Sequence, residues 1–236
     1  MNEVQGLLET DRLATLSING SDSLFWDGVA DLYTSFYVWI PLAVMAILLV
    51  VKNINPRRLI LVLFLIALTV VLCDQLSSSV FKPFFQRLRP TRDLDILNLV
   101  DTVNGYRGGL YGFLSGHAAN SFGLAVFYMW MVRDKTFSLA ICIWAILNSL
   151  IRTYLGVHFV GDILAGAILG SIIGSLTYLI FYLVSRNDWE YRSTIHSSNL
   201  LYTKTGFMRS DMFVFLCVMF GTCIFILIGS CLKMIY

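Results

Sequence analysis

Apolar runs long enough to cross a bilayer recur along nearly the whole chain, and few folds tolerate that pattern. They fall near 36–52, 58–80, 113–132, 136–155, 160–184 and 212–232. A helix rises about 1.5 Å per residue, so about 20 residues cross a hydrocarbon core of about 30 Å. Charged residues make up 14% of the chain, against about 25% in a soluble domain. A soluble domain with one anchor is therefore excluded. The expected fold class is all-α: a polytopic membrane helical bundle of about six transmembrane helices, preceded by an interfacial amphipathic helix.

Residues 1–35 are too polar to span. Val4, Leu7, Leu8, Leu13 and Leu16 recur at near-helical spacing among Glu3, Glu9, Asp11 and Arg12. That pattern predicts a helix on the membrane surface, broken at Asn19-Gly20. It lacks the basic start and apolar core of a signal peptide. The expected organisation is an interfacial segment over 1–35, a catalytic membrane domain over 36–184, a cytoplasmic loop over 185–211 and an additional helix over 212–236. No role is assignable to that last span from sequence.

Three polar clusters interrupt the apolar background. Lys82 to Pro90 follows the second span, Ser115-Gly116-His117 opens the third, and Arg152, His158 and Asp162 join the fourth to the fifth. Counting spans puts all three on one side of the membrane. One pocket can collect them. Counting every Lys and Arg leaves the two sides nearly tied, because loop 81–112 holds Lys82, Arg87, Arg89, Arg92 and Arg107. With the cluster cations set aside as functional, the opposite side becomes cytoplasmic.

The clusters supply what phosphate chemistry needs. Arg89 and Arg152 offer planar forks that donate bidentately to phosphate oxygens, and Lys82 offers a point charge. Lys82 and Arg89 share a face if that segment is helical; juxtamembrane snorkelling is the structural alternative. Ser115 and Gly116 bring a hydroxyl and close backbone approach to a helix start, where anions bind. His117 is placed to protonate a leaving oxygen, or is a bystander beside an ordinary cap. His158 and Asp162 are four apart, so they meet on a helix. A carboxylate on one ring nitrogen leaves the other free as a nucleophile; a satisfied structural pair is the alternative.

Read in order, Lys-x6-Arg-Pro, Ser-Gly-His and Arg-x5-His-x3-Asp resemble the type 2 phosphatidic acid phosphatase (PAP2) superfamily of membrane lipid phosphatases, over about residues 58–184. The resemblance implies a metal-independent reaction through a phosphohistidine. On it, His158 is the nucleophile oriented by Asp162, and His117 is the acid. Lys82, Arg89, Ser115, Gly116 and Arg152 hold the phosphoryl oxygens. Leu114 and Ile151 stand where the family usually has proline and serine; neither position carries a reacting group.

The implied substrate is a lipid phosphate or diphosphate: undecaprenyl diphosphate, phosphatidic acid, phosphatidylglycerol phosphate or a lipid A phosphate. It would be cleaved at the periplasmic face of a bacterial inner membrane. A phosphotransferase using the same histidine and a non-catalytic lipid-phosphate transporter are the alternatives. No cofactor, metal or nucleic-acid partner is expected. Cys73, Cys142, Cys217, Cys223 and Cys231 lie in apolar segments at no metal-ligand spacing and read as packing thiols.

Weaker signals surround these. Asp74 and Gln75 are candidates to orient a pocket cation, and Asn120 to support His117. Arg87, Arg92 and Arg107 read as head-group steering or solvated charges. Asn19-Gly20-Ser21 matches a glycosylation acceptor. Trp26, Trp39, Trp130 and Trp189 suit interfacial belts.

Overall fold

Each of the six expected spans is a helix in the computed structural model, which describes residues 3–196 and 200–234, with backbone alone for 186–196. The chain begins with α1 (Glu3–Leu16) and α2 (Leu24–Thr34). A short 3-10 turn leads into α3 (Ile40–Asn53). Then come α4 (Pro56–Gln75), a π turn over Leu76–Phe81, and α5 (Lys82–Phe85). The rest is α6 (Gly116–Val132), α7 (Lys135–Tyr154), α8 (Val160–His196) and α9 (Arg209–Lys233).

Five stretches are long and apolar enough to cross a membrane: Phe36–Asn53, Pro56–Phe85, Lys135–Tyr154, Val160–Ser185 and Arg209–Lys233. The remaining crossing is α6. Its 17 residues are shorter, about 26 Å at 1.5 Å per residue. It stands between α4, α7 and α8, so protein and not lipid surrounds much of it.

Local chemistry sets the helix ends. Asn55 accepts from Arg57 N–H with Pro56 in the first turn, and Asp134 accepts from Phe137 N–H, both favoured starts. Arg133 takes a left-handed conformation (φ 51°) at the end of α6, the usual helix-ending geometry.

The core spacing rests on small residues. Gly166, Gly170 and Gly174 recur every fourth residue of α8. A Cβ on them would lie 2.5 Å from Ser115 O, 2.1 Å from Ala119 O and 2.3 Å from Gly123 O. Side-chain-free backbone contact is thus what joins α8 to α6. Thr69 and Thr177 add a buried hydroxyl pair at 2.7 Å between α4 and α8.

The cytoplasm-assigned end is clasped by residues 200–211. Asp211 binds Lys52 (3.0 Å) and Asn53 (3.0 Å), Arg209 binds Asp134 (3.1 Å), and Thr205 donates to Val132 O (2.7 Å). The span expected to stop near 184 continues as helix to His196. The side chains of Arg186, Trp189, Arg192 and His196 lie outside the described residues. At the opposite end α9 packs on α2, with a Lys233–Asp31 ion pair at 2.5 Å and Ser230 donating to Phe25 O. The last span, without a role in the sequence reading, therefore holds α2.

The expected break falls at Gly20 (φ 64°). Asn19 Nδ2 donates to Tyr154 O (2.8 Å) and Asp101 O (3.1 Å), and its Oδ1 accepts from Asp101 N–H (2.8 Å). An amide committed this fully is an anchor, not a glycan acceptor.

One expectation is corrected. Lys82 and Arg89 do not share a helical face. The helix ends at Gln86 (φ 46°), and Arg89 follows in extended backbone, beside a Leu88–Tyr111 bridge. Pro90 starts the next turn.

Candidate active site

All three clusters lie at one end of the bundle. Lys82 sits in α5, at the end of the long α4–α5 rod. The chain then doubles back, so that Arg89 N–H bonds Leu110 O (3.2 Å) and Gly112 N–H bonds Arg87 O (2.8 Å). This fold-back buries the Arg89 guanidinium, whose Nε donates to Tyr111 O (3.1 Å). Gly108, at φ 62°, leaves room for it: a Cβ there would lie 2.3 Å from Nη1. Burial, above all, lowers the Arg89 pKa from its ordinary value, yet a guanidinium remains charged.

Ser115 caps α6, as expected from sequence. Its Oγ accepts from Ala118 N–H (3.4 Å), and its N–H donates to Asp162 O (3.0 Å). Gly166 permits that approach, since a side chain there would meet Ser115 O. His117 lies in the first turn of the helix and opens onto a cavity of about 520 Å³, together with Arg152, Tyr106, Asn104, Thr34 and Asp31. Arg152, in the last turn of α7, is 5% exposed and donates from Nη2 to Tyr106 Oη (3.3 Å). Its Nε is buried with no partner. His117 and Arg152 line one cavity, Arg87 ties the segment carrying Lys82 and Arg89 to Asp162 at 3.0 Å, and Arg89 Cγ and Asp162 Oδ2 flank the same Gly112. The expected site residues are thus brought together.

His158 precedes α8 in the turn after α7 and is 2% exposed. Its Nδ1 faces Asp162 Oδ2 at 3.5 Å, longer than a good hydrogen bond. Burial pushes its pKa down to about 4, with Asp162 opposing and Arg89 and Arg152 assisting. That direction favours the neutral imidazole. Asp162 is fully buried and committed: Oδ2 accepts from Phe159 N–H (3.1 Å) and Oδ1 from Arg87 Nη1 (3.0 Å). Gly112 backs this carboxylate, because a Cβ there would lie 2.8 Å from Oδ2.

Arg87 differs from the sequence reading. It is neither steering nor solvated. Its guanidinium bridges Asp162 and Asp11 Oδ2 (2.7 Å) and stacks on Phe159, 4.0 Å from the ring centroid. Arg92 and Arg107 are exposed, as solvated charges. Asp74 and Gln75 are exposed; Gln75 Oε1 accepts from Ser79 (3.2 Å), and Asp74 lies near enough to Lys82 for its charge to act on that cation. Asn120 Oδ1 is buried without a partner. Among the described residues no group of three or more His, Cys, Asp or Glu forms a metal-ligand set.

A polytopic helical membrane protein with a cluster of cations and two histidines at one end of the bundle is the class that fold and site define. A profile of the PAP2 superfamily matches residues 58–186. The chain is 40% identical over 178 residues to a lipid A 4'-phosphatase of Bacteroides thetaiotaomicron, covering 75% of this chain and 79% of the relative. It is 36% identical over 185 residues to a lipid A 4'-phosphatase of Porphyromonas gingivalis, covering 78% and 77%. The crystal structure of a transmembrane PAP2-type phosphatidylglycerolphosphate phosphatase from Bacillus subtilis superposes with a TM-score of 0.55 at 21% identity, covering 79% of this chain and 90% of that one. The chain belongs to the PAP2 superfamily of membrane lipid phosphatases.

Proposed function

We propose that this protein removes a phosphate from a lipid A-type substrate by way of a phosphohistidine on His158, at the periplasmic face of a bacterial inner membrane. The observation that carries the reading is a neutral, buried His158 held between a committed carboxylate and the cations Arg89 and Arg152. Cations alone would suit a carrier. A carrier has no use for an oriented imidazole with a second histidine beside it.

The phosphate enters among Lys82, Arg89 and Arg152, with the amides at Gly116 and the start of α6 completing the cradle. His158 Nε2 attacks phosphorus, and the bond from phosphorus to the lipid-borne oxygen breaks. His117 delivers its proton to that oxygen. Positive charge develops on the imidazole, and the Nδ1–Asp162 contact closes to a charge-assisted hydrogen bond. A water then gives its proton to His117 and attacks the phosphohistidine, releasing inorganic phosphate and free His158. No metal enters this sequence of steps. Asp162 is taken by Arg87 and Asp31 by Lys233, and the site is rich in cations, a setting that disfavours a divalent ion.

Substrate class follows from two supports. Relatives named as lipid A 4'-phosphatases share 36–40% identity over most of both chains. The open cavity is lined by Thr34, Asn104 and Tyr106, groups that hydrogen-bond sugar hydroxyls and that a glycerol head group needs less. The test is phosphate release by detergent-purified protein in EDTA from lipid A, phosphatidic acid, phosphatidylglycerol phosphate and undecaprenyl diphosphate, beside His158→Ala. Preferential release from lipid A that vanishes in the variant supports the proposal. Preference for a glycerol or prenyl lipid overturns the substrate, and loss of activity in EDTA overturns the metal-free route.

A further inference from the structure

Helix α1 lies outside the region matched by the family profile, yet it reaches the catalytic pair. Asp11 Oδ2 accepts from Arg87 Nη2 at 2.7 Å, and Asp11 Oδ1 accepts from Gly161 N–H at 2.8 Å. Thr15, fully buried, accepts from Val160 N–H at 3.1 Å. Two of the orphan N–H groups at the start of α8 are therefore capped by a different helix. Those same residues, 160 and 161, lie between His158 and Asp162. No side chain of α8 itself caps them.

We propose that Asp11 is a positioning residue for the phosphatase reaction: it fixes Arg87 and the first turn of α8, and through them the Asp162–His158 pair. The chain of contacts is continuous. Asp11 holds one arm of the Arg87 fork, the other arm holds Asp162 Oδ1 at 3.0 Å, and Asp162 Oδ2 faces His158 Nδ1 at 3.5 Å. One cation between two carboxylates is near charge balance. Without Asp11, Arg87 carries uncompensated positive charge against Asp162 and weakens the carboxylate's hold on a developing imidazolium. The groups facing the pair from packed elements are Arg87, Arg89, Arg152, Lys82, His117 and Asp11. Of these, Asp11 is the acidic one outside the pair. Asp11 bonds Arg87 and Gly161 and not the phosphate-holding cations Lys82, Arg89 and Arg152, so substrate binding is separable from positioning.

The inference rests on His158 as nucleophile, so native activity and its loss in His158→Ala are established first; failure there concerns that reading and not this one. Asp11→Asn then keeps the shape and removes the charge. Small misplacements of reacting groups cost on the order of tenfold to a hundredfold, so kcat is expected to fall by about tenfold or more. KM and inhibition by orthovanadate should stay within about twofold, because binding is left intact. Asp11→Glu, with its charge on a longer stem, should recover most of the rate. Glu9→Gln, on the same helix and exposed, should be native. A kcat within twofold of native for Asp11→Asn, whether or not its melting temperature falls, overturns the proposal. So does a loss confined to KM. Should Asp11→Asn fail to fold, Asp11→Ser carries the test: a kcat loss of about tenfold with KM held supports positioning, and a kcat within twofold of native overturns it.

Discussion

Arg87 Nη1 donates to Asp162 Oδ1 at 3.0 Å, and the two residues are 75 positions apart in sequence. The carboxylate is fully buried and the guanidinium is 22% exposed. That ion pair joins the segment carrying Lys82 and Arg89 to the segment carrying His158. It makes Arg87 part of the candidate site, although Arg87 does not line the open cavity.

Replacing Arg87 by Met leaves Asp162 buried beside an apolar chain. Removing one partner of a buried pair costs more than the pair contributes. Asp162 is expected to gain a proton or pull away, and His158 loses its orientation. The expected result is a kcat loss on the order of tenfold to a hundredfold, with a lowered melting temperature. Steady-state kinetics and a thermal melt in detergent check both.

His117 acts on the leaving oxygen alone in this account. General acid catalysis contributes roughly a hundredfold to ten-thousandfold. His117→Ala is expected to lose rate in that range on a lipid phosphate. With an aryl phosphate, whose leaving group needs no proton, the cleavage step should recover, while water attack remains slow. Rapid-quench kinetics would then show a burst of aryl alcohol followed by slow turnover.

Two glycines separate catalysis from packing. A Cβ at Gly112 meets Asp162 Oδ2 at 2.8 Å and Arg89 Cγ at 3.3 Å; a Cβ at Gly170 meets Ala119 O at 2.1 Å. Gly112→Ala is expected to lose about tenfold in kcat by misplacing the carboxylate. Gly170→Ala forces α6 and α8 apart at a cost of about 1–3 kcal/mol, read as a lower melting temperature. The contrast is checked by measuring both quantities for both variants.

The pH dependence follows from His158. Its ordinary value of 6.5 is pushed down to about 4, first by burial. The nucleophile therefore stays neutral on acidification, and its limb in the kcat/KM profile lies near pH 4, not near 6.5. Stability moves the other way. Between those values the unfolded chain binds a proton that the folded chain refuses, so folding weakens as pH falls from about 6.5 to 4. Chemical denaturation across that range checks the sign.

The helices and the grouping of the three polar clusters at one end of the bundle were legible because they are local. Apolar runs mark spans, and His158-x3-Asp162 needs one helical turn. Ser115 marks the start of α6 within a residue. What escaped depends on distant segments meeting. Arg87 reads like its neighbour Arg92 in sequence, yet one is stacked on Phe159 and the other is exposed. Asp11 and Arg87 are 76 positions apart, with no pattern tying them. The shared face expected for Lys82 and Arg89 failed because periodicity does not foresee a left-handed residue at Gln86. The α6–α8 contact had a visible signal in the four-residue spacing of Gly166, Gly170 and Gly174, which marks close helix approach.

The most direct test of the account is the covalent intermediate on His158. Native protein is mixed with radiolabelled lipid A phosphate in EDTA, quenched in base within milliseconds, and digested for mass spectrometry. The account predicts a base-stable, acid-labile label on the peptide containing His158, absent from His158→Ala, which also releases no phosphate. Phosphate release by His158→Ala at the native rate, or turnover of native protein with no label on that peptide, would contradict it.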